Sequence, residues 1–199
     1  MKKLKYIILL GILLTTTFIA YGKEQPKESE ELKDVKARLK AIYNTNNIKD
    51  AYRIVSTIPE NERDSEVWFL LANITQDLNE PEDAIFYLQK AILTDENNDK
   101  AYYNLGNLYL DKGQVYNAIK MYKEAIKIKG DFAPYHFNLG CTYIKAKDYK
   151  NAKAQISKAI FLQPNEPNYR YNMALVYKNL GNTKKAQKEL DIYNKLTQE

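Results

Sequence analysis

Apolar residues along most of the chain recur at helical spacing, and the same arrangement returns every 34 residues. A shift of 34 superimposes small, aromatic and alanine positions, namely Gly106 on Gly140, Tyr109 on Tyr143 and Ala118 on Ala152. Further shifts give four ungapped units: 65–98, 99–132, 133–166 and 167–199. A fixed period of this length is typical of helical repeat arrays, in which each unit buries its apolar face only against its neighbours.

Each unit contains two amphipathic segments with a turn between them. In the second unit the apolar spacing predicts helices over about 100–112 and 116–128, and Gly113 turns the chain between them. The other units are predicted to turn at Asn79-Glu80-Pro81, Lys147-Asp148 and Gly181. A small residue in the first helix, Gly106 in this unit, is expected to let the paired helices approach closely.

A weaker version of the pattern precedes the first clear unit. Val35, Leu39 and Ile42 are spaced for one helical face, and a second face follows from Ile48 and ends at Pro59. We expect residues 32–64 to form a degenerate capping repeat, with a linker that shifts the 34-residue register by about one residue.

The repeated columns resemble the tetratricopeptide repeat. The residues that carry the resemblance are Tyr102, Leu105, Gly106, Tyr109, Ala118, Tyr122 and Ala125. Gly130 stands where the family has proline, whereas Pro164 keeps that proline in the next unit. The resemblance implies an all-α protein, a right-handed α-solenoid of helix-turn-helix repeats, that serves as a platform for binding other proteins.

The N-terminal segment predicts export. Residues 1–22 contain three lysines followed by an apolar run from Tyr6 to Tyr21, and Ala20-Tyr21-Gly22 offers the small residues of a cleavage site. Either a cleaved signal peptide or a retained membrane anchor at residues 6–21 fits this pattern. In both cases we expect the repeats to be exported, periplasmic or otherwise extracytoplasmic, after a polar tether at 23–31.

Charge and residue usage argue against several other functions. The formal charge is +5, and three of these charges belong to the N-terminal segment, so the remainder carries only +2, too little to indicate nucleic-acid binding. One cysteine, Cys141, excludes an internal disulfide and a cysteine-rich metal site. The single histidine, His136, lies five residues earlier on a different helical face, so the two do not form a nucleophile–base pair. We therefore expect no enzyme activity, no cofactor and no metal.

The resemblance implies a concave groove lined by the first helix of each repeat. The predicted groove residues are Phe69, Tyr103, Phe137 and Tyr171 in an aromatic column, Asn104, Asn138 and Asn172 in the next, and Asn73, Asn107 and Cys141 in a third. Aromatic faces and amide groups suit an extended peptide backbone. The same columns are also compatible with a purely stabilising role. Lysine and arginine are missing from these columns, which argues against capture of a C-terminal carboxylate.

These observations predict an adaptor that binds a peptide or protein in the groove within the cell envelope. A structural scaffold that assembles with itself and holds no groove ligand is the alternative. The column Ile92, Ile126 and Ile160 becomes Asn194 in the last unit, as expected for the soluble end of an array. Leu190 and Leu196 still leave apolar surface there, which keeps a homodimer through this end open.

Overall fold

The structure is a computed structural model that describes residues 30–198. The predicted signal or anchor at 1–22 and most of the predicted tether lie outside the described residues. Backbone contacts divide the chain into two compact units at Arg38 and Leu39, and the repeats lie wholly in the second. Among the described residues, no helix is both long and apolar enough to cross a bilayer.

Residues 30–198 form ten α-helices and one short 3₁₀ helix at Glu60–Glu62, without a strand. In chain order the helices are α1 (Glu30–Asn44), α2 (Ile48–Val55), α3 (Ser65–Asp77), α4 (Pro81–Thr94), α5 (Asp99–Asp111), α6 (Val115–Ile128), α7 (Ala133–Lys145), α8 (Tyr149–Leu162), α9 (Pro167–Asn179) and α10 (Thr183–Thr197). Helix α1 is described from Glu30, a residue that the sequence assigned to the tether.

The last eight helices form four hairpins that stack on one another. Within each hairpin the two helices pack side by side, and the second helix of one hairpin packs on the first helix of the next. Helix α2 packs on α3 at the start of this stack. The predicted all-α solenoid of helical hairpins is therefore confirmed, and α5 and α6 begin and end within one residue of the predicted 100–112 and 116–128.

The turn inside each hairpin has the same backbone conformation in all four units. Asn79, Gly113, Lys147 and Gly181 have φ values of 63°, 72°, 59° and 76°, the left-handed region. Asn46 adopts it as well, with φ of 59°, at the turn between α1 and α2. The distance from Asn46 to Asn79 is 33 residues rather than 34, so the register shift of one residue at the linker is present in the structure.

The core runs through the stack along columns of the repeat. Alanines of the second helices, Ala84, Ala118 and Ala152, are completely buried. One turn later Leu88, Tyr122 and Ile156 are at most 1% exposed. The second helices therefore pack through the same columns in these three repeats.

Candidate functional site

Asparagines of the predicted groove bond to one another across repeats. Asn104 Nδ2 donates to Asn73 Oδ1 at 2.9 Å, and Asn138 Nδ2 donates to Asn107 Oδ1 at 3.2 Å. In each pair the acceptor lies on one first helix and the donor lies 31 residues later, on the next first helix. These side chains therefore form rungs that join successive repeats, a role that favours the stabilising interpretation of the two asparagine columns.

The third rung is weaker because a thiol replaces the amide. Cys141 Sγ lies 3.8 Å from Asn172 Oδ1, and Asn172 Nδ2 turns back to the carbonyl of Asn168 in its own helix. Burial raises the pKa of the Cys141 thiol to about 12, so this side chain is a neutral packing group near neutral pH. The column that holds Asn73 and Asn107 therefore has no amide side chain in the repeat of Cys141.

The aromatic column also contacts the following repeat. The ring of Tyr103 lies 4.9 Å from that of Tyr135, and the ring of Phe137 lies 4.5 Å from that of Tyr169. Tyr103 additionally accepts a hydrogen bond from Asn138 at 2.9 Å. Both residues are half-buried, so part of each side chain stays in contact with solvent while the ring helps to stack the repeats.

Tyr171 differs from the other aromatic residues of its column because no following repeat packs, within the described residues, on the hairpin that contains it. Its ring packs 5.5 Å from Tyr193 and the residue is 52% exposed. Phe69, at the other end of the column, is half-buried and lines a cleft. The structure thus brings all ten predicted groove residues onto the first helices of successive hairpins, and it joins most of them by direct contacts.

The rungs leave a second set of amide atoms open. Among the described residues the only buried side-chain nitrogen or oxygen without a partner is Arg170 Nε. The oxygens of Asn104 and Asn138 and the nitrogens of Asn73 and Asn107 make no hydrogen bond in the described part of the chain, and none of these atoms is completely buried. Acceptors and donors therefore alternate along the stack beside the open aromatic faces.

A cleft of about 610 Å³ opens at the first end of this stack. Phe69 and Leu70 form its apolar part, and Lys40, Glu66 and Lys100 supply charges around it. Of the predicted groove residues only Phe69 lines it. Leu70 precedes Asn104 in the second groove column, whereas sequence reasoning missed Lys40 and the loop between α4 and α5, because the 34-residue period does not show which residues of neighbouring elements come together.

His136 is a buried structural residue. It is 6% exposed, its Nδ1 lies 2.8 Å from Gln155 Oε1, and its Nε2 lies 3.0 Å from the carbonyl oxygen of Gly130. Both ring nitrogens are thus engaged, one by the second helix of the same hairpin and the other by the loop that precedes the hairpin. Within residues 30–198 no three His, Cys, Asp or Glu side chains come together in a way that could hold a metal ion.

Charge is divided unevenly between the repeats. The unit 65–98 contains seven acidic residues and one lysine, whereas 167–198 contains six basic and two acidic residues. The near-neutral total conceals this difference. Any partner that lies along the stack therefore meets an acidic first repeat and a basic last repeat.

The stacked hairpins, with a first helix of each exposed along one side, define a helical repeat protein of the protein-interaction class. The tetratricopeptide repeat profile matches 99–132, and a second profile of the same description matches 65–98, 133–166 and 167–191. These matches span more than half of the chain, which therefore belongs to the tetratricopeptide repeat family. Proteins of this fold act as adaptors or scaffolds that bind other proteins.

Solved structures of MamA have the same fold. One MamA crystal structure is 21% identical with a TM-score of 0.75, and the match covers 80% of this chain and 94% of that one. A MamA fragment from Desulfovibrio magneticus RS-1 is 17% identical with a TM-score of 0.78, covering 86% and 97%. At these identities the likeness concerns the fold alone. No curated protein sequence matches the chain.

Proposed function

We propose that this protein is a non-enzymatic adaptor that binds an extended segment of a partner protein along the first helices of its repeats. The observation that carries this proposal is the row of accessible amide atoms beside half-buried aromatic rings. An extended backbone offers alternating N–H and C=O groups, and the open oxygens of Asn104 and Asn138 and the open nitrogens of Asn73 and Asn107 complement both.

The rungs give this surface a physical advantage for binding. Asn107 Oδ1 accepts from Tyr122 Oη at 2.7 Å and from Asn138 at 3.2 Å, which fixes the direction of its amide. Because the open nitrogen of Asn107 is already oriented, a ligand does not have to immobilise it on binding. The stabilising contacts and the proposed recognition therefore use different atoms of the same side chains.

The rungs also dictate which variants test the proposal. Replacing Asn138 or Tyr103 removes contacts between repeats, so lost binding in such variants would not distinguish recognition from unfolding. Phe69 and Tyr171 contribute open aromatic surface without a hydrogen bond across repeats. Tyr116 and Phe161, which are 82% and 77% exposed on α6 and α8, are matched aromatic controls outside the groove columns.

The test is crosslinking in the native cell envelope followed by mass spectrometry of captured proteins. Cys141 is first replaced by serine, so that a newly introduced cysteine is the only one in the protein. This cysteine replaces Tyr171, or Phe161 in the control, and it carries the photoreactive group. We expect a discrete partner captured from position 171 and not from 161, with the yield reduced by Phe69→Ala. Equal capture from both positions, or a yield indifferent to Phe69, would contradict groove binding.

We propose further that the repeats work outside the inner membrane, held there or released by the segment 1–22. The support is the lysine-flanked apolar run from Tyr6 to Tyr21. Mass spectrometry of the mature N-terminus distinguishes cleavage after Gly22 from retention of an anchor. Recovery of the intact chain in the cytosolic fraction would contradict export in either form.

A self-assembling scaffold is the second candidate function. The observation that favours it is a cleft of about 180 Å³ on the last repeat, lined mainly by apolar side chains that no described helix covers. Under this alternative the photoreactive group at Tyr171 would capture a second copy of the protein and no other partner.

A further inference from the structure

The end of the stack exposes side chains that are buried in every earlier repeat. The column that holds Leu88, Tyr122 and Ile156 at 1%, 0% and 0% exposure holds the half-buried Leu190 in the last repeat. In earlier repeats the first helix of the following hairpin covers this column. No described helix covers it here, and Leu190 becomes part of an open cleft.

We name the surface around this cleft the C-terminal face, defined by Tyr171, Leu175, Lys178 and Leu190. Tyr171 and Leu175 are 52% and 37% exposed, so the face is apolar at its centre, and Lys178 lies at its edge. The cleft of about 180 Å³ is shaped by two helices and suits the side chains of a third. The face therefore has the form of an incomplete helix-packing site.

The surroundings of the C-terminal face are basic. Arg170 is neutralised by Glu189, to which its Nη1 lies 3.2 Å away. The lysines of the last repeat make no salt bridge within residues 30–198; they are Lys178, Lys184, Lys185, Lys188 and Lys195. Asp191 is the remaining acidic side chain between Pro167 and Gln198. A helix that packs on this face is favoured when it carries negative charge.

The first full repeat presents such a helix. On α4, Phe86 and Leu93 are 49% and 80% exposed and lie about two turns apart on the same side. Asp83 lies in the first turn of α4 beside Glu82, which pairs with Lys112, and Glu96 follows the end of the helix. We name this surface the outer face of α4. Phe86 and Leu93 are its exposed apolar residues, and Lys90 lies between them, with its Nζ 5.4 Å from the centre of the Phe86 ring and 3.2 Å from Glu60 Oε1.

We propose that the C-terminal face of one molecule binds the outer face of α4 of a second copy, head to tail. Phe86 and Leu93 would enter the cleft beside Tyr171 and Leu190, and the acidic ends of α4 would meet the unpaired lysines of the last repeat. The two contacting surfaces are different, so each bound molecule keeps one free face of each kind. Such an interface adds further copies in a row rather than closing as a symmetric pair.

A contact made by a single helix is small, and we expect correspondingly weak association. Interfaces below about 1,200 Å² in total are typical of transient complexes. Self-association of the purified full chain should therefore appear as the protein concentration rises toward about 100 μM, a regime typical of interactions in the micromolar range or weaker. It should weaken several-fold when salt is raised to about 0.5 M, because the complementary charges are exposed.

Two variants and their mixture test the proposal by analytical ultracentrifugation. Leu93→Lys removes the outer face of α4, and Leu190→Glu removes the C-terminal face. We expect each variant alone to be monomeric and their 1:1 mixture to form a heterodimer that grows no further, because only one intact face remains on each molecule. Tyr116→Lys, an equally exposed position on α6, should assemble like the unmodified protein.

Several results would overturn the inference. A monomeric unmodified chain at all concentrations would mean that neither face binds a second copy. Self-association of Leu93→Lys at the unmodified strength would indicate a symmetric contact that does not use α4. A mixture that stays monomeric, with both variants retaining the circular dichroism and melting midpoint of the unmodified protein, would show that the two faces do not bind each other.

Discussion

Gly106 lies directly against the ring of Tyr122, so close that a Cβ atom on the glycine would stand 2.8 Å from Cε1 of the tyrosine. Tyr122 is completely buried and its hydroxyl donates to Asn107, so the ring has no room to move aside. The same two columns pair Ala72 with Leu88 in the preceding unit. The larger side chain of Tyr122 is thus accommodated by a glycine on the first helix, and the smaller side chain of Leu88 by an alanine.

This relationship predicts the response to a single methyl group. Gly106→Ala should lower the free energy of unfolding by about 1–3 kcal/mol, because the added Cβ overlaps an immobile ring. Combined with Tyr122→Leu, which reproduces the Ala72 and Leu88 pair, the loss should be smaller than the sum of the two single losses. Urea denaturation followed by circular dichroism measures all three, and strictly additive losses would contradict the proposed steric exchange.

Lys147 predicts a gain in stability. It occupies the left-handed turn position with φ of 59°, where two other units have glycine. A side chain in this region costs roughly 1 kcal/mol. Lys147→Gly should therefore raise the melting midpoint, whereas Lys153→Gly, the same exchange inside α8, should lower it because glycine is about 1 kcal/mol less favourable than alanine in a helix. Equal effects at both positions would contradict this account.

The turn at Lys147 also shows how far the sequence leads. Lysine gives no local signal for a left-handed residue, yet the 34-residue period aligned it with Gly113 and Gly181, and the turn was predicted. The rungs were not predicted in the same way. Their partners lie 31 residues apart, as with Asn107 and Asn138. Comparing the repeats column by column identifies residues in equivalent positions, which are 34 residues apart. It does not identify residues in contact, because contacts depend on how neighbouring helices are offset from each other.

The sequence also did not reveal the contacts of one column of large residues, whose partners on the second helix change from repeat to repeat. Trp68 stacks on Tyr87 in the first full repeat, with ring centroids 5.8 Å apart. Two repeats later the pair is His136 and Gln155, and in the last repeat it is Arg170 and Glu189. The columns of large residues were visible in the sequence. Their partners on the second helix were not, because aromatic, amide and carboxylate side chains share no sequence signal.

The last of these pairs predicts a specific loss. Arg170 and Glu189 have side chains only 19% and 16% exposed, and Arg170 Nε has no partner. Glu189→Gln should lower the free energy of unfolding by about 2 kcal/mol, since it leaves a guanidinium that is largely removed from water without its countercharge. Glu124→Gln, at the exposed pair with Lys127, should change it by less than about 0.5 kcal/mol.

A compensating variant distinguishes charge from packing at this position. Arg170→His together with Glu189→Gln recreates the histidine–glutamine pair of the preceding repeat, whose side chains lie 2.8 Å apart. The double variant should therefore be more stable than Glu189→Gln alone in thermal unfolding. If it is equally unstable or worse, the loss in the single variant does not arise from an unpaired charge.

Tyr135 predicts how stability responds to alkaline pH. The residue is 3% exposed, and its hydroxyl donates to Asp99 Oδ2 at 2.6 Å. Burial, followed by this bond, raises the pKa of Tyr135 above its ordinary value of 10.0. Burial and a bond to Asp77 likewise raise the pKa of Tyr43 to about 12.

The sign of the effect follows from the protons bound in each state. Above pH 10 the unfolded chain releases tyrosine protons that the folded chain retains, so the unfolded state binds fewer protons and the free energy of unfolding falls as pH rises. Tyr135→Phe should cost about 1 kcal/mol at neutral pH through the lost hydrogen bond. The gap between the two proteins should then narrow above pH 10, whereas Tyr116→Phe should follow the unmodified curve throughout. Urea denaturation across this pH range measures the free energy of unfolding of each protein. If the difference between Tyr135→Phe and the unmodified protein stayed constant above pH 10, Tyr135 would ionise equally easily in the folded and unfolded states.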